Sequence, residues 1–327
     1  MLKSEVLKLL KTSKDFMSGQ MICDTLGVSR TAVWKAIKQL RSEGCTIEAV
    51  SNKGYCLKEP ADILSADEIK GALEGSRIGK ELYYYPKTDS TNIRIKELAD
   101  GGALGGTLAV ADMQTFGKGR RGRQWFSPPG TGIWMSVLLR PRFEPGSASM
   151  LTLVAAMAVA GAIKEVSGLD ALIKWPNDIV VNKKKVCGIL TEMSIESDYI
   201  NYIICGIGIN VNHDSFPEDI KNTATSLAIE KGEKICRAEL IASVWKHFEN
   251  YYDRFLQTED MSQLMDEYNS LLVNKDSEVR VLDPKGEWSG RAYGINAEGS
   301  LLVEKEDGSL AKVYSGEVSV RGIYGYV

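Results

Sequence analysis

The sequence predicts an α+β protein of more than one domain, and three observations carry that expectation. At 327 residues the chain is longer than one ordinary domain, and 44% hydrophobic with 25% charged residues is the make-up of a chain that buries a core. Helical and strand-like patterns interleave through its middle, and the strand runs between residues 173 and 209 lie too close together for crossover helices, so that part of the sheet is antiparallel. Beyond residue 273 the texture changes to short alternating segments broken by turns.

The first element is helical. In the stretch from Ser18 to Ile37, Ile22, Leu26, Val28, Val33 and Ile37 fit two short helices around a turn at Gly27, with Ser29 capping the second. The second helix presents Arg30, Thr31, Trp34, Lys35 and Lys38, side chains of the types that reach phosphates and base edges. Gly19 and Ser29, at the two helix starts, complete the candidate DNA-binding set. Cys45–Val50 and Tyr55–Leu57, joined by Ser51-Asn52-Lys53-Gly54, read as a hairpin and hence a wing. Charge agrees: residues 1 to 60 hold ten Lys+Arg against six Asp+Glu (+4), leaving thirty against thirty-seven (−7) for the rest. A nucleic-acid partner therefore belongs to the N-terminus. The polar, Pro-containing stretch near Glu59-Pro60-Ala61-Asp62 suits a linker, which gives units at 1–62, 63–273 and 274–327.

In the central unit, strands are expected at Leu82–Tyr85, Thr107–Ala111, Ile133–Leu139, Ile173–Trp175, Ile179–Val181, Val186–Met193 and Tyr202–Ile209. Helices are expected at Thr91–Leu98, Met150–Val166, Ala238–Phe255 and Met261–Leu272. The apolar run Met150–Ile163 is interrupted by Thr152 and Gly161 and falls short of the roughly 20 residues of a membrane span, so it reads as a core helix. The last unit alternates over Glu278–Leu282, Glu287–Tyr293, Ser300–Glu304, Leu310–Tyr314 and Val318–Ile323, which fits a small SH3-like barrel. Six cysteines without Cys-x-x-Cys spacing and only two histidines suggest neither a zinc nor a disulfide framework, and the N-terminus lacks a signal peptide's apolar core. A cytoplasmic protein without a membrane partner is expected.

Four segments of the central unit carry chemistry. Residues 117 to 126 pack four cations and three glycines into ten positions ahead of Ser-Pro-Pro-Gly, which reads as a mobile anion-binding loop. Lys174-Trp175-Pro176-Asn177-Asp178 precedes a strand, a basic turn and then Val186-Cys187-Gly188-Ile189-Leu190, with Lys185 at the start of the second strand. Cys205-Gly206-Ile207-Gly208-Ile209-Asn210 is a glycine-punctuated strand that leaves room for a ligand. Asp89-Ser90-Thr91-Asn92 resembles a helix N-cap.

Together, and in this order, the four segments resemble the biotin protein ligases, and the winged helix before them extends the resemblance to the bifunctional members that also repress the biotin operon. The resemblance implies a class II synthetase-like catalytic domain, with biotin and ATP as substrates and Mg2+ as companion ion. It implies formation of biotinyl-5'-AMP and transfer of biotin to a lysine of the biotin carboxyl carrier domain of carboxylases. Operator DNA and a homodimer formed on adenylate binding are the remaining implied partners.

By the same resemblance Ser90, Thr91, Asn92, Gln114, Gly119, Gly188 and Gly206 surround biotin, while Lys118, Arg120 and Lys185 serve both biotin and catalysis. Lys118 stands where the family often has arginine, which keeps the charge and loses the planar fork. Arg121, Arg123, Trp125, Asn210 and Asp178 are placed with the nucleotide, Asp178 being left between a Mg2+ ligand, an orienter of the acceptor amine and a brace of the turn. Trp175 and Pro176 read as packing residues and His213 as a surface residue. Two competitors remain: a repressor with little ligase activity, which would relax the phosphate loop, and a lipoate or octanoate ligase, against which the loop and the winged helix argue.

Overall fold

The computed structural model describes residues 2–13, 15–42, 45–59, 62, 64–196, 199–283, 286–314, 319–322 and 327. They form two compact units that divide between Gly71 and Ala72.

The first unit runs α1 (Leu2–Thr12), α2 (Gly19–Leu26), α3 (Arg30–Ser42), β1 (Thr46–Val50), β2 (Gly54–Glu59) and α4 (Ala66–Ala72). Ser18 Oγ caps α2 by accepting from Met21 N at 3.1 Å. Gly27 closes that helix at φ +64°, a left-handed turn that a side chain would resist. Ser29 Oγ caps α3 by accepting from Ala32 N at 3.3 Å, as the sequence suggested. Val6, Leu10, Ile22, Val33, Ile37 and Leu40 meet in one core. The opposite face of α3 is thereby left outside, where Trp34 is 53% exposed. The Arg41 guanidinium donates to Ile47 O and ties the end of α3 to the antiparallel β1–β2 wing. Helix α1 was not anticipated, although Val6 and Leu10 at i, i+4 supply its buried stripe.

The second unit contains β3 (Leu82–Tyr85), α5 (Thr91–Asp100), β4 (Leu108–Ala111), β5 (Gly132–Leu139), α6 (Leu151–Ser167), β6 (Leu172–Lys174), β7 (Asp178–Val181), β8 (Lys184–Glu196), β9 (Tyr199–Asn210), α7 (Leu227–Lys231), α8 (Arg237–Thr258) and α9 (Met265–Leu271). The seven strands order as β3-β4-β5-β9-β8-β7-β6, parallel between β3 and β4 and antiparallel elsewhere. Helix α6 packs on β6 to β9 and on α8, whose Trp245, Phe248 and Phe255 are fully buried. Each such side chain contributes about 1.5–3 kcal/mol by leaving water. The segment Pro145–Ser167 is apolar enough to cross a membrane, yet 72% of its most apolar window is buried inside this unit, which makes it a core helix. The helix expected over Met261–Leu272 is confined to α9.

A separate antiparallel sheet of β10 (Ser277–Asp283), β11 (Gly286–Ile295), β12 (Leu301–Lys305), β13 (Leu310–Val313) and β14 (Ser319–Gly322) follows, ordered β13-β12-β11-β10-β14. Alternation in β11 buries Gly290 and Ala292 and exposes Ser289, Arg291 and Tyr293, the period-two pattern read from the sequence. Part of Val318–Ile323 lies outside the described residues.

Candidate functional site

Two cavities abut on the central sheet. The smaller, of about 50 Å³, is lined by Ser90, Thr91, Asn92, Gln114, Lys118, Gly119, Arg120, Lys185, Gly188 and Gly206, the whole set that the sequence assigned to one ligand. The larger, of about 240 Å³, is lined by Arg121, Arg123, Trp125, Asp178 and Asn210, the set assigned to the nucleotide. Gly119, Arg120, Trp125, Asn177 and Lys185 belong to both walls, so the two spaces meet at two cations.

The sheet builds this junction. Gly188 on β8 and Gly208 on β9 face each other in register, and the Trp125 ring lies over both: a Cβ at Gly188 would reach 2.7 Å from the ring, and one at Gly208 would reach 2.6 Å. Lys185, at the start of β8, extends its ammonium over the same ring, 5.1 Å from its centre. Its Nζ donates to Asp178 Oδ1 at 2.5 Å, and both side chains are largely buried. Arg120 Nη1 donates to Asn177 Oδ1 at 3.0 Å, while Asn177 Nδ2 is fixed on Ile189 O at 3.1 Å. Burial lowers the pKa of Arg120 and Asp178 opposes that fall, which leaves a guanidinium at any physiological pH.

The glycine-arginine segment has a defined shape. Gly119 N donates to Arg123 O and Trp125 N to Gly117 O, which closes a short hairpin around a 3-10 turn over Arg120–Gly122. Arg121, at φ +57°, and Gly122, at φ +72°, make that turn left-handed. Lys118 is exposed on it.

At the other wall, Ser90 occupies the residue before α5, but its side chain makes no cap bond, contrary to the N-cap reading. Thr91 N instead donates to Gln114 Oε1 at 2.8 Å, and Gln114 Nε2 donates to Ser127 Oγ at 3.2 Å. A Cβ on Gly206 would collide with the Asn92 amide, so the glycine is there to admit that side chain.

Sequence reasoning missed several members. Asn177 was inside a quoted motif without a role. The segment Phe216 to Ala224 lines the larger cavity and pairs with Lys185, whose N donates to Thr223 O at 2.8 Å. Asn210 Nδ2 donates to Thr225 O, so this side chain also fastens that segment. No spacing announces it; it is placed by pairing. His213, expected at the surface, is 2% exposed. It stacks on Phe216 and sits 3.2 Å from Thr131 Oγ1, and burial pushes its pKa down to about 4. The apolar ring partners Trp134 and Phe216 around it explain the difference.

In the first unit, Arg30, Thr31, Trp34, Lys35 and Lys38 all lie exposed on α3. Arg30 is held by Gln20 Oε1, at 3.1 Å from Nε and 2.8 Å from Nη2, and Lys38 Nζ lies 5.3 Å from the Trp34 ring centre. Gly19 opens α2, half-buried beside Tyr55.

The fold and the joined cavities define a ligase-type catalytic unit attached to a helix-turn-helix module. The model of the biotin/lipoate A/B protein ligase family matches residues 84–210, an HTH domain model matches 3–56, and the biotin protein ligase C terminal domain model matches 276–321. The chain is 42% identical over 322 residues to the bifunctional ligase/repressor BirA of Bacillus subtilis (strain 168), covering 98% of each. It is 32% identical over 316 residues to the protein of that name from Escherichia coli (strain K12), covering 95% of each. The solved biotin protein ligase from Aquifex aeolicus in complex with biotin and ATP superposes at a TM-score of 0.66 with 33% identity, over 74% of this chain and 99% of that one. The chain belongs to the bifunctional biotin ligase/repressor family.

Proposed function

We propose that the chain is a biotin protein ligase that also represses transcription, with biotin in the smaller cavity and ATP in the larger. The observation that carries this reading is the shared wall, because two anions must be brought together there and Lys185 and Arg120 stand at the junction. A carboxylate oxygen of biotin attacks the α-phosphorus of ATP, and the bond to pyrophosphate breaks with its electron pair leaving on pyrophosphate. Lys185 and Arg120 offset the charge that gathers on the phosphoryl oxygens. The nucleophile is already ionised at neutral pH, so no base is required for this step. In the second step the ε-amine of a carrier-domain lysine attacks the acyl carbon, the acyl–phosphate bond breaks, AMP leaves and the amine loses a proton.

Arg121, Arg123, Trp125 and Asn210 are assigned to the nucleotide, and Lys118 to the loop that closes over the intermediate. Mg2+ would travel with the phosphates. Asp178 is the one carboxylate lining the larger cavity, and no cluster of three or more His, Cys, Asp or Glu occurs among the described residues, so the chain itself offers such an ion few ligands. In the first unit Gly19, Ser29, Arg30, Thr31, Trp34, Lys35 and Lys38 form the operator-facing set. With units at 1–62, 63–273 and 274–327, adenylate binding would promote a homodimer whose paired winged helices bind DNA better than one. The carrier domains of biotin-dependent carboxylases are the acceptors, and the cytoplasm, where they and DNA are found, is the expected location.

Incubation of the pure protein with ATP and labelled biotin or lipoate, with and without a carrier domain, tests the activity. Biotin labelling of the carrier is expected. Labelling by lipoate alone, or no labelling beside intact DNA binding, would overturn it. Sedimentation and DNA binding across a salt series, with and without biotin plus ATP, test the dimer.

A further inference from the structure

Behind the smaller cavity runs a chain of hydrogen bonds whose outer members, Ser136 and Glu192, do not line it. Asn92 Nδ2 lies 2.6 Å from Glu192 Oε2 and 3.4 Å from Leu190 O. Both of these atoms are acceptors, so the amide of Asn92 can face only one way, with its oxygen turned inward. That oxygen lies 2.6 Å from Ser136 Oγ. An amide oxygen carries no hydrogen, so the single hydroxyl proton of Ser136 is committed to it. The 2.7 Å contact between Ser136 Oγ and Thr91 Oγ1 must then be made by the proton of Thr91. The competing acceptor, Gln114 Oε1, is farther from Thr91 Oγ1 at 3.2 Å and already accepts Thr91 N. Thr91, Asn92 and Ser136 are all buried, so water does not scramble this order.

The consequence is a polarised relay. From the exposed carboxylate of Glu192 each member donates outward, and Thr91 Oγ1 is left facing the cavity with lone pairs and no proton. We infer that Glu192 is a positioning residue for substrate choice: through Asn92 and Ser136 it turns Thr91 into an obligate acceptor that recognises a ligand N–H. The inference rests on the assignment of biotin to this cavity. Biotin's cyclic urea carries two N–H donors, whereas the dithiolane ring of lipoate carries none, so the relay favours the first ring over the second at a distance from the ligand.

The test is a double-mutant cycle on the full-length protein, read as equilibrium biotin binding without ATP, together with kcat and KM for ATP. Glu192→Lys replaces the acceptor with a donor, so Asn92 turns over and the relay reverses. Biotin binding should weaken by about 10- to 100-fold, the cost of one mispaired buried hydrogen bond. The KM for ATP should stay within about twofold, since no member of the relay belongs to the larger cavity. Glu192→Gln retains an acceptor oxygen and should weaken biotin by no more than about threefold. Thr91→Val keeps the shape and removes the oxygen, so it should weaken biotin by itself and make Glu192→Lys silent in its background. If Glu192→Lys weakens biotin equally in both backgrounds, or does nothing in the wild type, the relay is wrong. If Thr91→Val leaves biotin binding unchanged, the placement of biotin fails instead.

Discussion

Lys185→Ala is the most informative substitution at the junction of the two cavities, because it removes one charge and uncovers another. Lys185 Nζ is paired with Asp178 Oδ1 at 2.5 Å, and Asp178 itself is largely buried. Loss of a single electrostatic donor to a developing anion costs about 3–4 kcal/mol of barrier, or roughly 10²- to 10³-fold in rate. The stranded carboxylate adds a second effect. A phosphate oxygen about 5 Å from it, at an effective dielectric of about 20, is repelled by about 3 kcal/mol before screening. Adenylate synthesis should therefore fall at least 10²-fold and ATP binding should weaken as well, while biotin binding changes little. Lys185→Ala/Asp178→Asn should recover ATP binding without recovering the rate. Single-turnover formation of biotinyl-adenylate, with ATP and biotin affinities measured separately, distinguishes the two terms. Near-normal synthesis by a folded Lys185→Ala protein would refute the assignment, and unchanged ATP affinity would refute the charge argument.

Three further outcomes are expected. Arg120→Gly should release labelled adenylate faster than wild type in the absence of acceptor, since the loop loses both its guanidinium and its tie to Asn177; an unchanged release rate means that Arg120 does not clamp the intermediate. Deleting residues 1–62 should abolish DNA binding and leave adenylation possible, because every assigned ligase residue lies at or beyond Ser90; a soluble truncation inactive in both assays would show tight coupling between the units. His213 is neutral when folded, with its pKa pushed to about 4, whereas the unfolded chain takes up the proton below about 6.5. Its stabilisation is complete above that value and is lost as the pH falls towards 4, by about 1–2 kcal/mol between pH 7 and pH 5. Urea denaturation at the two pH values should show His213→Phe to be less pH-sensitive than wild type by that amount, and equal sensitivity would assign the loss to other groups.

The local rules were written in the chain. Strands such as Leu82–Tyr85 coincide with expectation because period-two alternation and flanking turns are properties of neighbouring residues. The antiparallel core of the sheet follows from connections too short for a crossover, and the caps at Ser18 and Ser29 follow from side-chain chemistry. The residues quoted in four motifs do line two adjoining cavities, since glycines and cations in that order suit little else.

Only the tertiary structure decided the rest, wherever a partner is distant in sequence. Asn177 becomes a holder of Arg120 across 57 positions, and Glu192 reaches Asn92 across 100. His213 is buried because Trp134 and Phe216 converge on it, which no window around residue 213 reveals. The segment after Phe216 reaches the site by pairing with Lys185. Periodicity and caps act over a few residues and are legible in sequence. The direction of a buried hydrogen bond is set by which acceptor stands at its far end, and folding alone determines that.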